Sequence, residues 1–237
     1  MNVFRMVLVL IACILMLSAN VDAVLVVNKT SPCTSGDAYF PTITSALSSA
    51  SSGDTIIVCS GTYLENIDIN ISVTLKSFSQ NPADTTIQAL DTNEDVIEVH
   101  ADYVNISGFT ITGGSTKSND DGIDVEPNPI SSDPSDYVNI SNNVFYNLYG
   151  GIQLENSNFS VVRDNNISGN DYGVYLIESS FNNLIVNNTI SGNQYIGIQI
   201  PSGCEDNEIY LNRFTNNGQN AEDSSTINYW NSTEMHP

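Results

Sequence analysis

A short pattern of apolar and polar positions recurs along the chain from residue 104 onward. It consists of an apolar residue, two intervening positions, Asn, one position and a second apolar residue, and the successive Asn residues are 22, 23 and 24 positions apart. An earlier copy, Ile106–Phe109–Ile111, carries Phe in place of Asn. This copy and those at Asn143, Asn165 and Asn188 are each followed by a Gly and by two apolar residues that flank one variable position. The first pattern occurs as Ile140–Asn143–Phe145, Val162–Asn165–Ile167, Ile185–Asn188–Ile190 and Ile209–Asn212–Phe214, and the second element begins at Gly122, Gly151, Gly173 and Gly197.

Alternation over such short segments is typical of β-strands, because the segments are too short and too rich in Asn and Gly for helices. Short strands can bury their apolar faces if each repeat forms one turn of a solenoid. At the recurring Asn we expect a corner with left-handed backbone geometry, and side-chain amides that hydrogen-bond along the stack. The sequence therefore predicts an all-β fold, a parallel β-helix of about seven or eight turns over residues 54–232, followed by a tail at 233–237.

The segment before the repeats, residues 24–53, predicts a cap that contains a short helix. Ile43, Ala46, Leu47 and Ala50 have the spacing of one apolar helix face. This helix would cover the open end of the apolar interior and block the addition of further strands. The first strand of the β-helix is then expected at residues 55–58.

Residues 43–50, 53–58, 61–66 and 72–75 together resemble the start of NosD-like β-helix proteins. The resemblance extends over about residues 40–232 and implies a secreted, right-handed, single-stranded parallel β-helix. That family is common among archaeal surface proteins and is related to carbohydrate-binding and sugar-hydrolase helices of the pectin-lyase-like fold. Residues 220–231 resemble its closing segment, and the chain stops at Pro237 before the usual continuation, which is the pattern expected of a truncated member.

The N-terminus has the features of a secretory signal peptide. Arg5 precedes an apolar run from Met6 to Leu17, and small residues ending at Ala23 follow. We expect cleavage after Ala23, which makes residues 1–23 the signal and the mature protein secreted or bound at the cell surface. The residues before Cys13 also resemble a lipoprotein box, the less favoured alternative. The apolar run is short for a membrane span, and no later stretch is long enough.

The charge of the chain excludes whole classes of partner. It carries 27 acidic and 6 basic side chains, for a formal net charge of −21. The basic residues are scattered singly, so they cannot form the positive face that nucleic acids require. Anionic membrane surfaces are disfavoured for the same reason. We expect a soluble, self-repelling monomer whose surface can collect divalent cations.

Three cysteines remain after removal of the signal. In an oxidising compartment Cys33 and Cys59 are the natural disulfide pair, whereas Cys204 is either a free thiol or paired elsewhere. The sequence also contains eight Asn-x-Ser/Thr sequons. Asn105 and Asn139 are the better glycosylation candidates because each precedes an inward-facing Ile and so points outward.

The variable position of the Gly-containing element predicts a polar stripe on one sheet. Stacked turns would align these side chains, and acidic residues follow two positions later. Amides, a phenol ring and carboxylates are suited to a sugar polymer, although any solvated sheet face also carries polar residues. The candidate ligand-binding residues are Asp124, Glu126, Gln153, Glu155, Tyr175 and Gln199.

The densest acidic cluster, residues 118–126, predicts either a Ca²⁺ site or a solvated acidic loop. Oxygen ligands beside a Gly turn suit a hard cation. We assign the candidate ligands as Asp120, Asp121 and Asp124, in an inserted loop indicated by the longer spacing of 29 residues between Gly122 and Gly151. Asp133 and Asp136 follow in the same region.

An enzymatic alternative rests on the same face. Pectate lyases are similar β-helices in which Ca²⁺ neutralises a uronate and a basic residue removes a proton, so Lys117 is the candidate base. A hydrolase would instead use paired carboxylates, Asp121 with Asp124 or Glu126 with Glu155. The few basic residues and the charge of −21 disfavour a polyanionic substrate.

The NosD resemblance also implies copper, and the sequence argues against it. After the signal the potential ligands are His100, His236 and Met235, which form no cluster at ligand spacing. The sequence as a whole therefore favours a module that binds polysaccharide or a cell-surface glycan, or that serves in surface display, without catalysis. The alternatives are a Ca²⁺-dependent polysaccharide lyase, a glycoside hydrolase, and a rigid spacer.

Overall fold

The structure, a computed structural model, describes residues 22–29, 32–113 and 121–231. Three parallel sheets run the length of the molecule, and each turn of the chain contributes one strand to each sheet in succession. This is an all-β, right-handed parallel β-helix, as the sequence predicts. The predicted signal peptide falls almost wholly outside the described residues. Among those described, no helix has the length and apolar character needed to cross a bilayer.

Sheet 1 has ten strands and sheets 2 and 3 have seven each within the described residues. The strands of sheet 1 are β1 Val24–Val27, β2 Ala38–Phe40, β3 Thr55–Val58, β6 Thr74–Ser77, β9 Asn105–Ser107, β12 Asn139–Ser141, β15 Val161–Arg163, β18 Leu184–Val186, β21 Glu208–Tyr210 and β24 Tyr229–Asn231. Those of sheet 2 are β4 Gly61–Leu64, β7 Thr85–Gln88, β10 Thr110–Thr112, β13 Val144–Tyr146, β16 Asn166–Ser168, β19 Thr189–Ser191 and β22 Arg213–Thr215. Those of sheet 3 are β5 Ile67–Ile69, β8 Ile97–Val99, β11 Ile123–Val125, β14 Gly150–Glu155, β17 Tyr172–Ile177, β20 Ile196–Ile200 and β23 Gln219–Asp223.

Stacked aliphatic side chains fill the interior. In sheet 1, Ile106 pairs with Ile140, and the same register continues through Val162, Ile185 and Ile209. All five are essentially inaccessible to solvent. Burial of each such side chain stabilises the fold by about 1.5–3 kcal/mol. Asn105 and Asn139, the candidate glycosylation sites, lie beside each other on the outward side of this sheet, and the Asn139 amide donates to Asn105 Oδ1 at 3.2 Å.

The recurring Asn residues form the hydrogen-bonded ladder that the repeat predicts. The side-chain amide of Asn165 donates to Asn188 Oδ1 at 3.1 Å, and that of Asn188 donates to Asn212 Oδ1 at 2.9 Å. The prediction of a left-handed backbone at these Asn residues is wrong. The left-handed residue is the one before, such as Asp164 or Asn187, because this turn directs the following Asn side chain inward. There the amide reaches backbone groups of the neighbouring turns.

Two further polar ladders were not predicted. Asn170, Asn193 and Asn217 form one at the corner before sheet 3, and their side chains accept from backbone N–H groups of the preceding turns. Asn183, Asn207 and Asn228 form the other, at the corner before sheet 1. The signal was present in the sequence as a second set of Asn residues at the repeat spacing.

Helix α1, Ile43–Leu47, occupies the predicted cap and is shorter than the apolar spacing suggests. Its N-cap Thr42 accepts from the backbone of Ser45 in a capping box, and Glu65 accepts from the backbone N–H groups of Ile43 and Thr44. The helix buries Ile43 and Leu47 against the first strands. The cap region also contributes β1 and β2 to sheet 1, which extends the sheet beyond the first predicted strand.

Two of the cysteines hold this end together. Cys33 and Cys59 form a disulfide with a Cα–Cα distance of 5.5 Å. Cys204 is a free, buried thiol. Burial raises the pKa of this thiol above its ordinary value.

Candidate functional site

The outward face of sheet 3 carries a row of aligned side chains. Register pairs Asp124 with Gln153, Gln153 with Tyr175, and Tyr175 with Gln199, which are the four positions that the repeat predicts. The row continues in both directions, because Glu98 pairs with Asp124 and Glu222 with Gln199. We call the whole set the polar row; its members are Asp68, Glu98, Asp124, Gln153, Tyr175, Gln199 and Glu222.

Sequence reasoning missed the two ends of this row, although a signal existed. Asp68 and Glu98 each lie between two buried aliphatic residues, as Asp124 does, but the Gly that marks the later copies is absent there. The middle of the row differs from its ends in exposure. Asp124 and Gln153 are only 6% and 8% exposed, whereas Asp68 is open to solvent. The central side chains therefore contact one another rather than bulk water.

Asp121 positions Tyr175 at the centre of the row. One carboxylate oxygen of Asp121 accepts from the backbone N–H of Gly150 at 2.8 Å, and the other accepts from the Tyr175 hydroxyl. Gly150 is required here because a Cβ at that position would overlap the Tyr175 ring. Burial and the neighbouring Asp121 carboxylate raise the pKa of Tyr175, so its hydroxyl remains a donor.

Asp124 holds its proton at neutral pH. Burial, chiefly, and repulsion by Asp121, Asp95 and Glu126 raise the pKa of this carboxyl to about 9, against the opposing hydrogen bond from Gln153. A carboxyl that is neutral in this environment can donate as well as accept a hydrogen bond.

A second row lies two residues further along the strands. Because Val99 pairs with Val125 and Val125 with Leu154, the residues that follow them, His100, Glu126 and Glu155, are neighbours. His100 Nε2 lies 3.3 Å from Glu98 Oε2, and His100 Nδ1 lies 3.7 Å from Glu126 Oε1. Ligand-type atoms of Glu98, His100 and Glu126 lie within 4.8 Å of one another, as do those of Asp124, Glu126 and Glu155. His100 lies on the outward side of the sheet and is nevertheless buried.

Two of the candidate Ca²⁺ ligands, Asp121 and Asp124, lie among the described residues. Lys117 and Asp120 lie outside the described residues. The oxygens of Asp121 accept from Gly150 and Tyr175, whereas Asp124 lies beside Glu126 and Glu155. The structure thus brings Asp124 together with the predicted sugar-binding acids.

The predicted insertion lies elsewhere than expected. Ile123 is already in register with Ile152, so the extra residues between Gly122 and Gly151 must follow β11. They form the loop 126–138, compared with 156–160 one turn later. The loop contacts the second row, because Asn128 donates to the backbone carbonyl of His100 and Ser135 to that of Glu126.

A cluster of tyrosines borders the polar row at the start of the strands. The ring centroids of Tyr149 and Tyr172 are 5.3 Å apart, and those of Tyr172 and Tyr195 are 5.5 Å apart. Tyr172 also contacts Tyr175 of the polar row at 5.8 Å. We call Tyr149, Tyr172 and Tyr195 the tyrosine cluster. These tyrosines lie one or two residues before Gly151, Gly173 and Gly197. Sequence reasoning did not identify them, because it considered only the residues after each Gly.

Residues 47–236 match the family described as periplasmic copper-binding protein (NosD). The chain belongs to this family. Among solved structures it is similar to an alginate lyase from Paenibacillus sp. str. FPU-7, with 18% identity, a TM-score of 0.64, and coverage of 80% of this chain and 72% of that one.

Two further solved structures are less similar to the chain. Pectin methylesterase PemA from Erwinia chrysanthemi has 16% identity, a TM-score of 0.48, and coverage of 84% and 67%. Pectate lyase Pel9A has 14% identity, a TM-score of 0.44, and coverage of 90% and 80%. No curated protein matches the chain significantly. At 18% identity the similarity to the alginate lyase shows the fold alone.

Among the residues that the structure describes, the donor atoms do not fit copper(I). That ion prefers thiolate and thioether sulfur. In the described part of the chain, Cys33 and Cys59 are joined in a disulfide and Cys204 is buried away from the polar row, with its backbone carbonyl bonded to Asn228. The histidine in the described part of the chain is His100, and its ring nitrogens face the carboxylates of Glu98 and Glu126. Met235 and His236 lie outside it.

Proposed function

We propose that this protein is an extracytoplasmic β-helix module that binds a neutral or amino-sugar polysaccharide along the outward face of sheet 3. The polar row is the observation that carries this proposal. Its side chains repeat at the inter-strand spacing of about 4.8 Å, so a polymer lying along the helix axis meets a regular series of hydrogen-bonding groups. A family described as periplasmic and the Cys33–Cys59 disulfide support the location.

The tyrosine cluster supports a sugar ligand in particular. Tyr195 is 48% exposed and lies at the edge of the cluster, so its ring offers an accessible apolar surface next to polar groups. Sugar rings present apolar faces and polar edges, and an aromatic ring beside amides and carboxylates complements both. Gln199, three residues beyond the start of β20, lies within the same turn of the helix as Tyr195.

The charge of the face determines which polysaccharide it accepts. Three acidic members of the polar row besides the protonated Asp124, namely Asp68, Glu98 and Glu222, give the face negative charge, and the whole chain carries a formal charge of −21. A uronate polymer would be repelled, whereas a neutral glucan would not and a protonated amino sugar would be attracted. We therefore infer that neutral or amino-sugar polymers are the ligands.

Three oligosaccharides test this proposal: a neutral β-glucan, a glucosamine oligomer and an oligo-alginate, each titrated calorimetrically into the full chain. We expect binding of one of the first two and no binding of oligo-alginate. Tyr195→Ala should weaken that binding at least fivefold. Tyr146→Ala is the matched control, because Tyr146 is 44% exposed on sheet 2, and it should leave affinity unchanged. Absence of binding to both favoured ligands, or equal loss in the two variants, would refute the proposal.

Catalysis is a second candidate, favoured by the grouping of Asp124, Glu126 and Glu155. Paired carboxylates can hydrolyse a glycosidic bond, and with Ca²⁺ such a group can neutralise a uronate for β-elimination. The measurements are release of reducing ends from the bound polymer, and ultraviolet absorbance of unsaturated products from alginate or pectate with and without Ca²⁺. If either product accumulates, and Glu155→Gln abolishes it, the protein is an enzyme rather than a binding module.

A further inference from the structure

His100 has an unusual environment for a histidine on the outward face of a sheet. It is 7% exposed, and its two ring nitrogens face two different carboxylates, Glu98 and Glu126. The Nδ1 atom is buried and makes no hydrogen bond. An unpaired polar atom in a buried position costs free energy, so this nitrogen indicates a missing partner.

The surrounding charge has the sign that a cation would neutralise. Glu98 and Glu126 are each about one-third exposed, so their carboxylates remain accessible from the outer face. Their surroundings add the carboxylates of Asp68 and Glu155. Within the described residues, neither Glu98 nor Glu126 forms an ion pair with Lys or Arg.

We propose that Glu98, His100 and Glu126 bind a divalent metal ion of borderline character, for which Zn²⁺ is the reference. Ligands bonded to one tetrahedral Zn²⁺ at about 2.0–2.2 Å lie roughly 3.4 Å from each other. One ligand atom from each of the three residues lies within 4.8 Å of the other two. The separations of 3.3 Å and 3.7 Å involve different ring nitrogens, Nε2 with Glu98 and Nδ1 with Glu126. Binding of one ion therefore requires at least one glutamate side chain to rotate toward the same imidazole nitrogen as the other.

The ligand types discriminate between metals. Ca²⁺ and Mg²⁺ prefer oxygen alone, and copper(I) prefers sulfur, whereas imidazole together with carboxylate suits Zn²⁺ and its neighbours. The site differs from the predicted Ca²⁺ loop, since it uses none of Asp120, Asp121 and Asp124. It also differs from sulfur-ligated copper chemistry. The site shares Glu98 with the polar row, but its ligands do not require a polysaccharide, so metal binding is tested separately from the proposed function.

The loop 126–138 fixes the site from the outside. Asn128 donates to the His100 carbonyl, and Ser135 donates to the Glu126 carbonyl at 2.7 Å. The backbone of His100 and that of Glu126, which lie in neighbouring turns, are thus both bonded by the loop 126–138. This loop is longer than the corresponding loop 156–160 of the next turn. Such support of ligand-bearing backbone is typical of metal sites, in which outer contacts orient the ligands.

The experiment is calorimetric titration of Zn²⁺ into the full chain after removal of metals with a chelator. We expect about one ion per chain, little displacement by a large excess of Ca²⁺, and at least a tenfold weaker affinity for His100→Ala and for Glu126→Gln. Glu208→Gln, an exposed position on sheet 1, makes the same change of charge and should not affect binding.

Folding and geometry are checked separately. Thermal unfolding of the metal-free variants shows whether they fold, and Glu126→Gln preserves the shape of the side chain if His100→Ala does not fold. Co²⁺ in place of Zn²⁺ should give visible absorption bands that disappear in Glu126→Gln. The proposal is overturned if Zn²⁺ does not bind, if binding survives both substitutions, or if Ca²⁺ displaces Zn²⁺ at comparable concentration.

Discussion

The side-chain amide of Asn188 donates to Oδ1 of Asn212, one turn further along the β-helix, at 2.9 Å. The same amide donates to the backbone carbonyl of Val162 at 2.9 Å, and Asn188 Oδ1 accepts from the backbone N–H of Asn165. One buried side chain thus connects three successive turns. Backbone N–H and carbonyl groups near the corner of each turn obtain hydrogen bonds from these side chains.

Asn188→Ala should therefore destabilise the fold strongly. It leaves a buried N–H and buried carbonyl groups without partners, at a cost of about 1–3 kcal/mol for each group left unsatisfied. We expect a loss of at least about 3 kcal/mol in the free energy of unfolding, measured by denaturant titration. Asn166→Ala, at an exposed position of sheet 2, is the control and should change it by less than about 0.5 kcal/mol. Equal effects would show that the ladder contributes nothing specific.

The periodic part of this architecture could be predicted from sequence because its cause is periodic. Aliphatic residues at alternate positions fix which face of each strand is buried, so Asp124, Gln153 and Tyr175 had to share the other face. The position of the left-handed corner residue could not be predicted. Its occupants include Asp164, Asn187 and even Leu211, so residue type gives no constant signal there.

The candidate metal site was missed for a different reason. His100 precedes the regular repeats, and its neighbour Glu126 is brought to it by register across two turns of unequal length. Spacing along the chain does not reveal this proximity. The insertion was misplaced in the same way, because the distance between Gly122 and Gly151 gives the number of extra residues and not the side of the strand on which they lie.

Tyr175→Phe should destabilise the centre of the polar row. It removes the hydroxyl that donates to Asp121, and a hydrogen bond to a charged group is worth about 1.5–3 kcal/mol. We expect a decrease of this size in the free energy of unfolding. Tyr146→Phe, on the exposed face of sheet 2, is the matched control with the same loss of one oxygen. If the two variants have equal stability, the Asp121 contact is not structural.

Gly173→Ala tests the close approach of neighbouring turns. A Cβ at Gly173 would overlap the backbone carbonyl oxygen of Gly197 and lie 2.9 Å from Ile190 Cγ2. Overpacking of this kind costs about 1–3 kcal/mol, and more where backbone must move. We expect Gly173→Ala to lower the melting temperature more than Gly192→Ala does. At Gly192 a Cβ meets no atom, and only the positive φ opposes the change, at about 1–2 kcal/mol.

The Cys33–Cys59 disulfide should account for a measurable part of the stability. It closes a loop between residues 26 positions apart, and a loop of this size corresponds to about 3 kcal/mol. Replacing both cysteines by Ser should lower the free energy of unfolding by that amount. Addition of a reductant should destabilise the unaltered protein and have no effect on the double variant. A reductant effect on the double variant would place the sensitivity elsewhere in the molecule.

Cys204 should react only when the β-helix opens. The side chain is buried, and burial raises the pKa of the thiol, so the nucleophilic thiolate is scarce at neutral pH in the folded protein. We expect alkylation by iodoacetamide to be slow in buffer at pH 8 and complete within minutes in denaturant, as measured by mass spectrometry. The labelling rate should then rise with denaturant in parallel with the loss of secondary structure. Rapid labelling in buffer would show that the turn around residue 204 opens locally without unfolding of the helix.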